Sequence, residues 1–179
     1  MTDRNQDDGW IRAVLERHER PLLAYALRLL GGDVEQARDL VQDVFLRLVR
    51  ADREAIGPRT TAWLFRVCRN RALDLRARTL PTIGLEVVET QAEAASAEPH
   101  ARLEARDDAT HLREAVERLP ARERELVRLK FEHGLSYEEM AHVTGITATN
   151  VGFLLHKALR SLREHLSVTP RATRSECAS

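Results

Sequence analysis

The sequence from Leu135 to Leu166, LSYEEMAHVTGITATNVGFLLHKALRSLREHL, decides the fold of this chain. Ser136 followed by Glu139 is a capping box, which marks the start of a helix. Gly145 supplies the left-handed residue that ends this helix, and Thr147 is expected to cap a second one. The second helix is expected to bury a stripe of apolar residues at helical spacing: Val151, Leu154, Leu155, Ala158, Leu159 and Leu162.

Two helices joined by a glycine turn form the pattern of a helix-turn-helix, whose second helix enters the major groove of DNA. The same pattern also fits an ordinary helical hairpin in a bundle. We favour DNA binding because the cap, the turn glycine and the apolar stripe occur together in one short window. The start of the second helix is therefore the first candidate site.

Composition favours an all-α protein. The chain has 179 residues, enough for one or two small domains, and only 4% of them are aromatic. Abundant Leu, Ala, Arg and Glu with few aromatic residues is typical of helices rather than sheets. Cys68 and Cys177 lack metal-ligand spacing and indicate free thiols in a reducing compartment. No apolar run approaches the length of a membrane span, so we expect a cytoplasmic protein.

Charge is distributed unevenly, although the formal net charge is zero. Residues 59–78 contain six arginines and one acidic residue, Asp74. Residues 79–101 contain four glutamates and neither lysine nor arginine. A basic helix suits the DNA backbone, where charge sets much of the affinity. The acidic segment has little apolar content with which to build a core.

Helical periodicity and chain breakers predict two small helical domains joined by a flexible linker. The first domain is expected to span residues 10–78, the linker 79–106, and the helix-turn-helix domain 107–166. The polar residues 1–9 are expected to be disordered. Pro21 is expected to kink or restart the first helix, because it lacks a backbone N–H.

Three segments in order along the chain resemble the extracytoplasmic-function sigma factors, the two-domain members of the sigma-seventy superfamily. Ala37–Leu48 resembles the family's polymerase-binding helix, and Ala62–Asp74 resembles its promoter-melting and minus-ten-reading helix. Leu119–Leu166 resembles the domain that reads the minus-thirty-five element. The resemblance implies a transcription initiation factor that binds core RNA polymerase and directs it to promoter DNA.

By this resemblance, one exposed stripe binds core polymerase. Asp39, Gln42, Asp43 and Leu46 share a helix face that can offer acceptors and one apolar contact to a basic partner helix. The implied partner surfaces are the β′ clamp and the β flap of the polymerase. Without the resemblance, a solvated helix face would explain the same residues.

The resemblance assigns minus-ten DNA to the basic helix and to a loop beside it, which maps to residues 51–61. The sequence itself is loop-like over residues 51–59. The candidate residues are Trp63, Arg66, Arg69, Asn70 and Arg76. Opening a duplex requires stacking surfaces and edge contacts for unstacked bases. Trp63 can act as a wedge or as a core residue, and Asn70 can contact DNA or form a local hydrogen bond.

The minus-thirty-five element is assigned to the first turns of the second helix in the helix-turn-helix. The candidate residues are Thr147, Thr149, Asn150, Phe153, His156 and Lys157. An asparagine can pair with adenine through two hydrogen bonds, whereas a lysine two turns on more often meets phosphate. Gly152 departs from the family, in which a basic residue is common at this position, so no basic contact is transferred to it.

Other functions remain open at this point. A free-standing helix-turn-helix regulator is the alternative, and an enzyme is a third class. No catalytic residue, metal site or cofactor is expected, because the histidines lack a suitably spaced third ligand. The linker is either an acidic mimic of nucleic acid inside the polymerase or a plain spacer. Control by an anti-sigma factor is left open, and no membrane partner is expected.

Overall fold

The computed structural model describes the backbone of residues 2–79 and 103–168, with the side chains of 9–78 and 110–167. In these ranges the chain is helical without any strand, which confirms the all-α prediction. The linker predicted at 79–106 lies largely outside the described residues. The elements are α1 (Thr2–Leu29), α2 (Val34–Arg50), α3 (Arg53–Ile56), a 3-10 turn (Gly57–Arg59), α4 (Thr60–Thr79), α5 (Leu103–Glu117), α6 (Ala121–Phe131), α7 (Tyr137–Thr144) and α8 (Ala148–Val168).

The described residues divide into two compact units. The first contains α1–α4 and α7, and the second contains α5, α6 and α8 from Thr149 onward. Within the first unit, α4 packs against α1, α2 and α7. The first unit therefore includes α7 in addition to the helices of the predicted N-terminal domain.

Helix α1 differs from the sequence expectation at two places. Its backbone is helical from Thr2, where disorder was expected, and it continues through Pro21. A proline inside a helix removes one backbone donor. Leu22 and Ala26, just beyond the proline, are completely buried. Burial on the rest of the unit can offset the missing hydrogen bond, since most helical stability in proteins comes from packing.

Helix α2 shows how the sequence fixes its start and its buried face. Asp33 is the N-cap, and its carboxylate accepts the backbone N–H of Gln36 at 3.0 Å. The same carboxylate accepts the side-chain amide of Gln36 at 2.7 Å. The predicted apolar face is buried, except that Val34 is exposed. The residues buried on this face are Ala37, Leu40, Val41, Val44, Phe45 and Leu48.

The expected loop at 51–59 is instead ordered as α3 and the 3-10 turn. Asp52 caps α3 by accepting the N–H of Glu54 at 3.0 Å, and Ile56 is buried. The guanidinium of Arg53 lies 5.2 Å from the ring centroid of Trp10. A cap, a buried anchor and a cation–π contact together order a segment too short to be predicted from periodicity.

The core of the first unit forms on the apolar side of α4. Leu64 and Phe65 are buried, and the rings of Phe65 and Tyr25 lie 5.2 Å apart between centroids. Cys68 is a completely buried free thiol, and burial raises its pKa to about 12. A thiol with this pKa is not a nucleophile near neutral pH, so Cys68 packs as a small apolar side chain.

The helix-turn-helix sequence folds locally as predicted. Ser136 Oγ accepts the N–H of Glu139 at 3.2 Å, while the Glu139 carboxylate accepts the N–H of Ser136 at 2.8 Å. Gly145 ends α7 with a φ of 77°, a conformation that glycine adopts without strain. In the predicted stripe of α8, four residues are buried, and Leu154 and Leu159 are half-buried. The buried four are Val151, Leu155, Ala158 and Leu162.

Candidate polymerase and nucleic-acid interfaces

The α2 stripe, defined as Asp39, Gln42, Asp43 and Leu46, lies opposite the buried face of α2. Asp39, Gln42 and Leu46 are exposed, and Leu46 has half of its surface accessible. Val49, one turn further on, is 58% exposed and extends the apolar end of the stripe. The one trace of this residue in the sequence is an apolar side chain that falls outside the buried period of α2.

Asp43 is the half-buried member of the stripe, and it is engaged within the protein. Its Oδ2 accepts the Nε–H of Arg71 on α4 at 2.9 Å and that of Arg47 at 3.0 Å. Burial acts to raise the pKa of Asp43, but the hydrogen bonds from Arg47 and Arg71 outweigh it. The pKa of the carboxyl therefore lies below its ordinary value. Asp43 joins α2 to α4, a role that the sequence pattern did not reveal.

The α4 arginine face, defined as Trp63, Arg66, Arg69, Asn70 and Arg76, follows one side of α4. Helical spacing places these five residues within an arc of roughly 140° around the axis. Arg66 and Asn70 are exposed, and the other three are half-buried. The structure thus brings the predicted minus-ten residues together on one basic surface.

Arg66 also contacts α7 within the first unit. Its Nη1 lies 3.3 Å from Nδ1 of His142. Burial, followed by the charges of Arg66 and Arg59, lowers the pKa of His142. A neutral imidazole nitrogen can accept a hydrogen bond from the guanidinium, whereas an imidazolium would repel it. DNA that binds Arg66 must therefore compete with His142.

The α8 entry face, defined as Thr147 and the five α8 residues predicted to read DNA, is exposed throughout. Phe153 has 66% of its surface accessible. Lys157 is tied to another helix of its unit, because its ammonium donates to Glu123 Oε1 on α6 at 2.7 Å. The remaining members of the face are Thr149, Asn150 and His156.

Two further observations concern the part of the chain that the structure describes. None of its helices combines the length and apolar character needed to cross a bilayer. The same part of the chain contains no group of three or more acidic, histidine or cysteine side chains that could bind a metal ion.

Comparison with known families matches these surfaces to two defined regions. The family model of Sigma-70 region 2 matches residues 14–79, which carry the α2 stripe and the α4 arginine face. The model of Sigma-70 region 4 matches residues 110–162, which carry the whole α8 entry face and the buried Glu123. Two helical regions of the sigma-70 type define the class of this protein.

Similar proteins define the family within that class. The chain is 34% identical to the ECF RNA polymerase sigma factor SigL of Mycobacterium tuberculosis, over 89% of this chain and 92% of SigL. It is 32% identical to SigD of the same species, over 89% of this chain and 78% of SigD. The chain therefore belongs to the family of ECF RNA polymerase sigma factors.

Solved structures show the same fold. One is the sigma factor RpoE of Bartonella quintana in complex with the anti-sigma factor NepR. It is 25% identical with a TM-score of 0.61, over 89% of this chain and 98% of that one. CnrH, solved with the cytosolic domain of CnrY, has a TM-score of 0.58 at 24% identity, over 89% of both chains.

We predict that Asp43→Asn destabilises the protein in a pH-dependent manner. Because the folded-state pKa is lowered, the ionised Asp43 stabilises the fold above its unfolded pKa of roughly 3.9, and this contribution disappears as pH falls through the folded value. Near pH 7 the expected loss is about 0.5–1 kcal/mol, typical of partly exposed ion pairs. Urea unfolding at a series of pH values measures the difference.

The matched control is Asp39→Asn, which removes an exposed carboxylate from the same helix. Its free energy of unfolding should stay within about 0.5 kcal/mol of the wild type at each pH. Equal effects of the two substitutions would show that the contacts of Asp43 with Arg47 and Arg71 add nothing to stability.

Proposed function

We propose that this chain is a transcription initiation factor that binds bacterial core RNA polymerase and directs it to specific promoters. The observation that carries this function is the ordered pair of sigma-70 regions on one chain, which matches whole ECF sigma factors nearly end to end. A free-standing regulator needs a helix-turn-helix but has no use for a sigma-70 region 2. We propose further that the protein acts in the cytoplasm, through binding rather than catalysis.

The α2 stripe is proposed to bind the β′ clamp of the polymerase. Its exposed end offers Asp39 and Gln42 as acceptors, with Leu46 and Val49 as apolar contacts. A few apolar anchors surrounded by polar groups are typical of protein interfaces. Asp43 contributes indirectly, since its bond to Arg71 ties this side of α2 to α4. Region 4 is proposed to bind the β flap.

We expect the double substitution Asp39→Arg with Leu46→Ala to weaken binding to core polymerase at least tenfold. The change reverses one exposed charge and removes one apolar contact, and loss of about 1.4 kcal/mol corresponds to a factor of ten. Titration of labelled protein with core polymerase measures the affinity. Glu19→Arg on α1, also an exposed charge reversal, is the control; an identical loss there would indicate a non-specific charge effect.

The α4 arginine face is proposed to bind and help melt the minus-ten element. Arg66 and Asn70 are exposed, and Trp63 retains an accessible surface on the same side of the helix. Guanidinium groups bind phosphates, and an aromatic ring can stack on an exposed base. Residues 51–61 include α3 and the 3-10 turn. Any groups of this segment that bind bases would therefore be presented from ordered structure.

Neutralising Arg66 and Arg69 together should weaken binding of the holoenzyme to a promoter fork. Each lost phosphate contact lowers the slope of log affinity against log salt by roughly 0.7–0.9, so the slope should fall by about 1.5. Filter binding over a salt series measures this slope. The control neutralises Arg12 and Arg20 on α1, both exposed. If the α4 variant forms open complex at the wild-type level, the α4 arginine face has only a structural role.

The α8 entry face is proposed to read the minus-thirty-five element. Thr149 and Asn150 lie exposed in the first turn of α8, the end that enters the groove in a helix-turn-helix. Phe153 offers an apolar surface one turn on, suited to a thymine methyl group. His156 and Thr147 flank these residues as further polar contacts.

Asn150→Ala should relax the preference of the holoenzyme at one or two base pairs of the upstream element. A bidentate asparagine–adenine contact is worth about 1–3 kcal/mol of discrimination. Selection from a promoter library with randomised upstream positions measures the profile. Arg163→Ala, an exposed change further along the same helix, is the control. Identical profiles for wild type and Asn150→Ala would refute base reading by this residue.

An anti-sigma factor is proposed as a further partner. The similar sigma factor from Bartonella quintana was solved in complex with one. Such a protein would compete with polymerase for exposed surfaces of the kind that the α2 stripe provides.

A further inference from the structure

A buried carboxylate lies beneath the helix that is proposed to read DNA. The side chain of Glu123 on α6 is only 4% exposed, and its Oε1 accepts a hydrogen bond from Lys157 on α8 at 2.7 Å. Both helices belong to the second unit. A buried charge is costly unless it is paired and hydrogen-bonded. Breaking the ion pair between Lys157 and Glu123 is therefore energetically unfavourable.

The arginines near Glu123 along the chain have other partners. Arg124 donates to the carbonyl of Leu119 at 3.0 Å and to Glu117 at 3.1 Å. Arg128 pairs with the same Glu117. In the part of the chain that the structure describes, the ion pair of Glu123 is thus made with Lys157 of another helix.

The position of Lys157 on α8 links this ion pair to the proposed base reader. Lys157 follows Asn150 by seven residues, which places the two roughly 20° apart around the helix axis and about 10 Å apart along it. The buried stripe of α8 occupies the neighbouring side. The ion pair thus holds the flank of α8 from which Asn150 projects.

Apolar packing alone restricts the rotation of a helix about its axis less than a directional bond does, because the hydrophobic effect is non-directional. A roll of about 20° moves a side-chain tip that lies roughly 6 Å from the axis by about 2 Å. Hydrogen bonds tolerate only a few tenths of an ångström of displacement. A small roll of α8 would therefore cost Asn150 its base contact.

We propose that Glu123 is a positioning residue for promoter recognition, which fixes the rotation of α8 through its ion pair with Lys157. Lys157 then serves orientation rather than phosphate binding. This inference rests on the proposed reading of the upstream element by α8. Glu123 would then influence which promoter sequence is recognised without contacting DNA itself.

The test uses full-length protein assembled with bacterial core RNA polymerase. Wild-type holoenzyme first selects a promoter from double-stranded fragments with a randomised upstream element. The affinity ratio between that promoter and each single-base change is then measured for Glu123→Gln, Lys157→Met and the double variant. Each single variant should lose about tenfold of discrimination at the positions affected by Asn150→Ala.

Two features of the result separate positioning from phosphate contact. The double variant should lose no more than either single variant, since both break one interaction. The salt slope of promoter binding should stay unchanged, whereas loss of a phosphate contact would lower it by roughly 0.9. A lower slope with Lys157→Met, together with a wild-type profile for Glu123→Gln, would overturn the proposal.

Controls address folding. Lys157→Arg keeps the charge and a donor, so it should recover most of the discrimination that Lys157→Met loses, even if Glu123→Gln proves unstable. Arg160→Met breaks the exposed Arg160–Glu164 pair on the same helix and should keep the wild-type profile. Failure of wild-type holoenzyme to select any sequence would refute the proposed function as well, whereas an unchanged Glu123→Gln profile would refute only the positioning role.

Discussion

Burial of one side of α4 is the constraint on which the first unit depends. Leu64, Phe65, Cys68 and Ala72 are buried along this side, and α4 packs against α1, α2 and α7. Each large apolar side chain so buried contributes about 1.5–3 kcal/mol. A different side of the same helix carries Arg66, Asn70 and the other residues of the α4 arginine face. One helix thus anchors the core and presents the basic surface, because its apolar and basic residues occupy different arcs.

Paired charges connect the elements that carry the proposed interfaces. Asp43 on α2 bonds to Arg71 on α4, and Glu123 on α6 bonds to Lys157 on α8. The first pair joins two helices that both bear residues proposed to bind a partner, whereas the second joins α8, which bears them, to α6, which supports it. The two pairs differ in environment, since Asp43 is partly exposed whereas Glu123 is buried. The second pair therefore has the larger penalty for being broken.

These pairs also divide the candidate residues into those that can meet a partner and those that act through a neighbour. Asp39, Gln42 and Leu46 are open on α2, and Asn150 and Phe153 are open on α8. Asp43 and Lys157 share those faces, and each forms an ion pair with a side chain of another helix. In a sigma factor assembled with polymerase, the bonds of Asp43 and Lys157 can persist while exposed side chains on the same faces bind a partner.

The sequence by itself determined the elements that depend on neighbouring residues. The Ser136–Glu139 capping box, the left-handed Gly145, the Asp33 cap and the buried stripes of α2 and α8 follow from spacings of three or four residues. The pattern also placed the α2, α4 and α8 surfaces, because helical periodicity separates exposed from buried faces. Only the tertiary structure decided the rest. Tertiary packing orders α3 and keeps α1 helical through Pro21. It also pairs Asp43 with Arg71, and Lys157 with Glu123, between separate helices. Contacts between residues 28 or 34 positions apart leave no periodic trace in a sequence, since they depend on how whole helices pack.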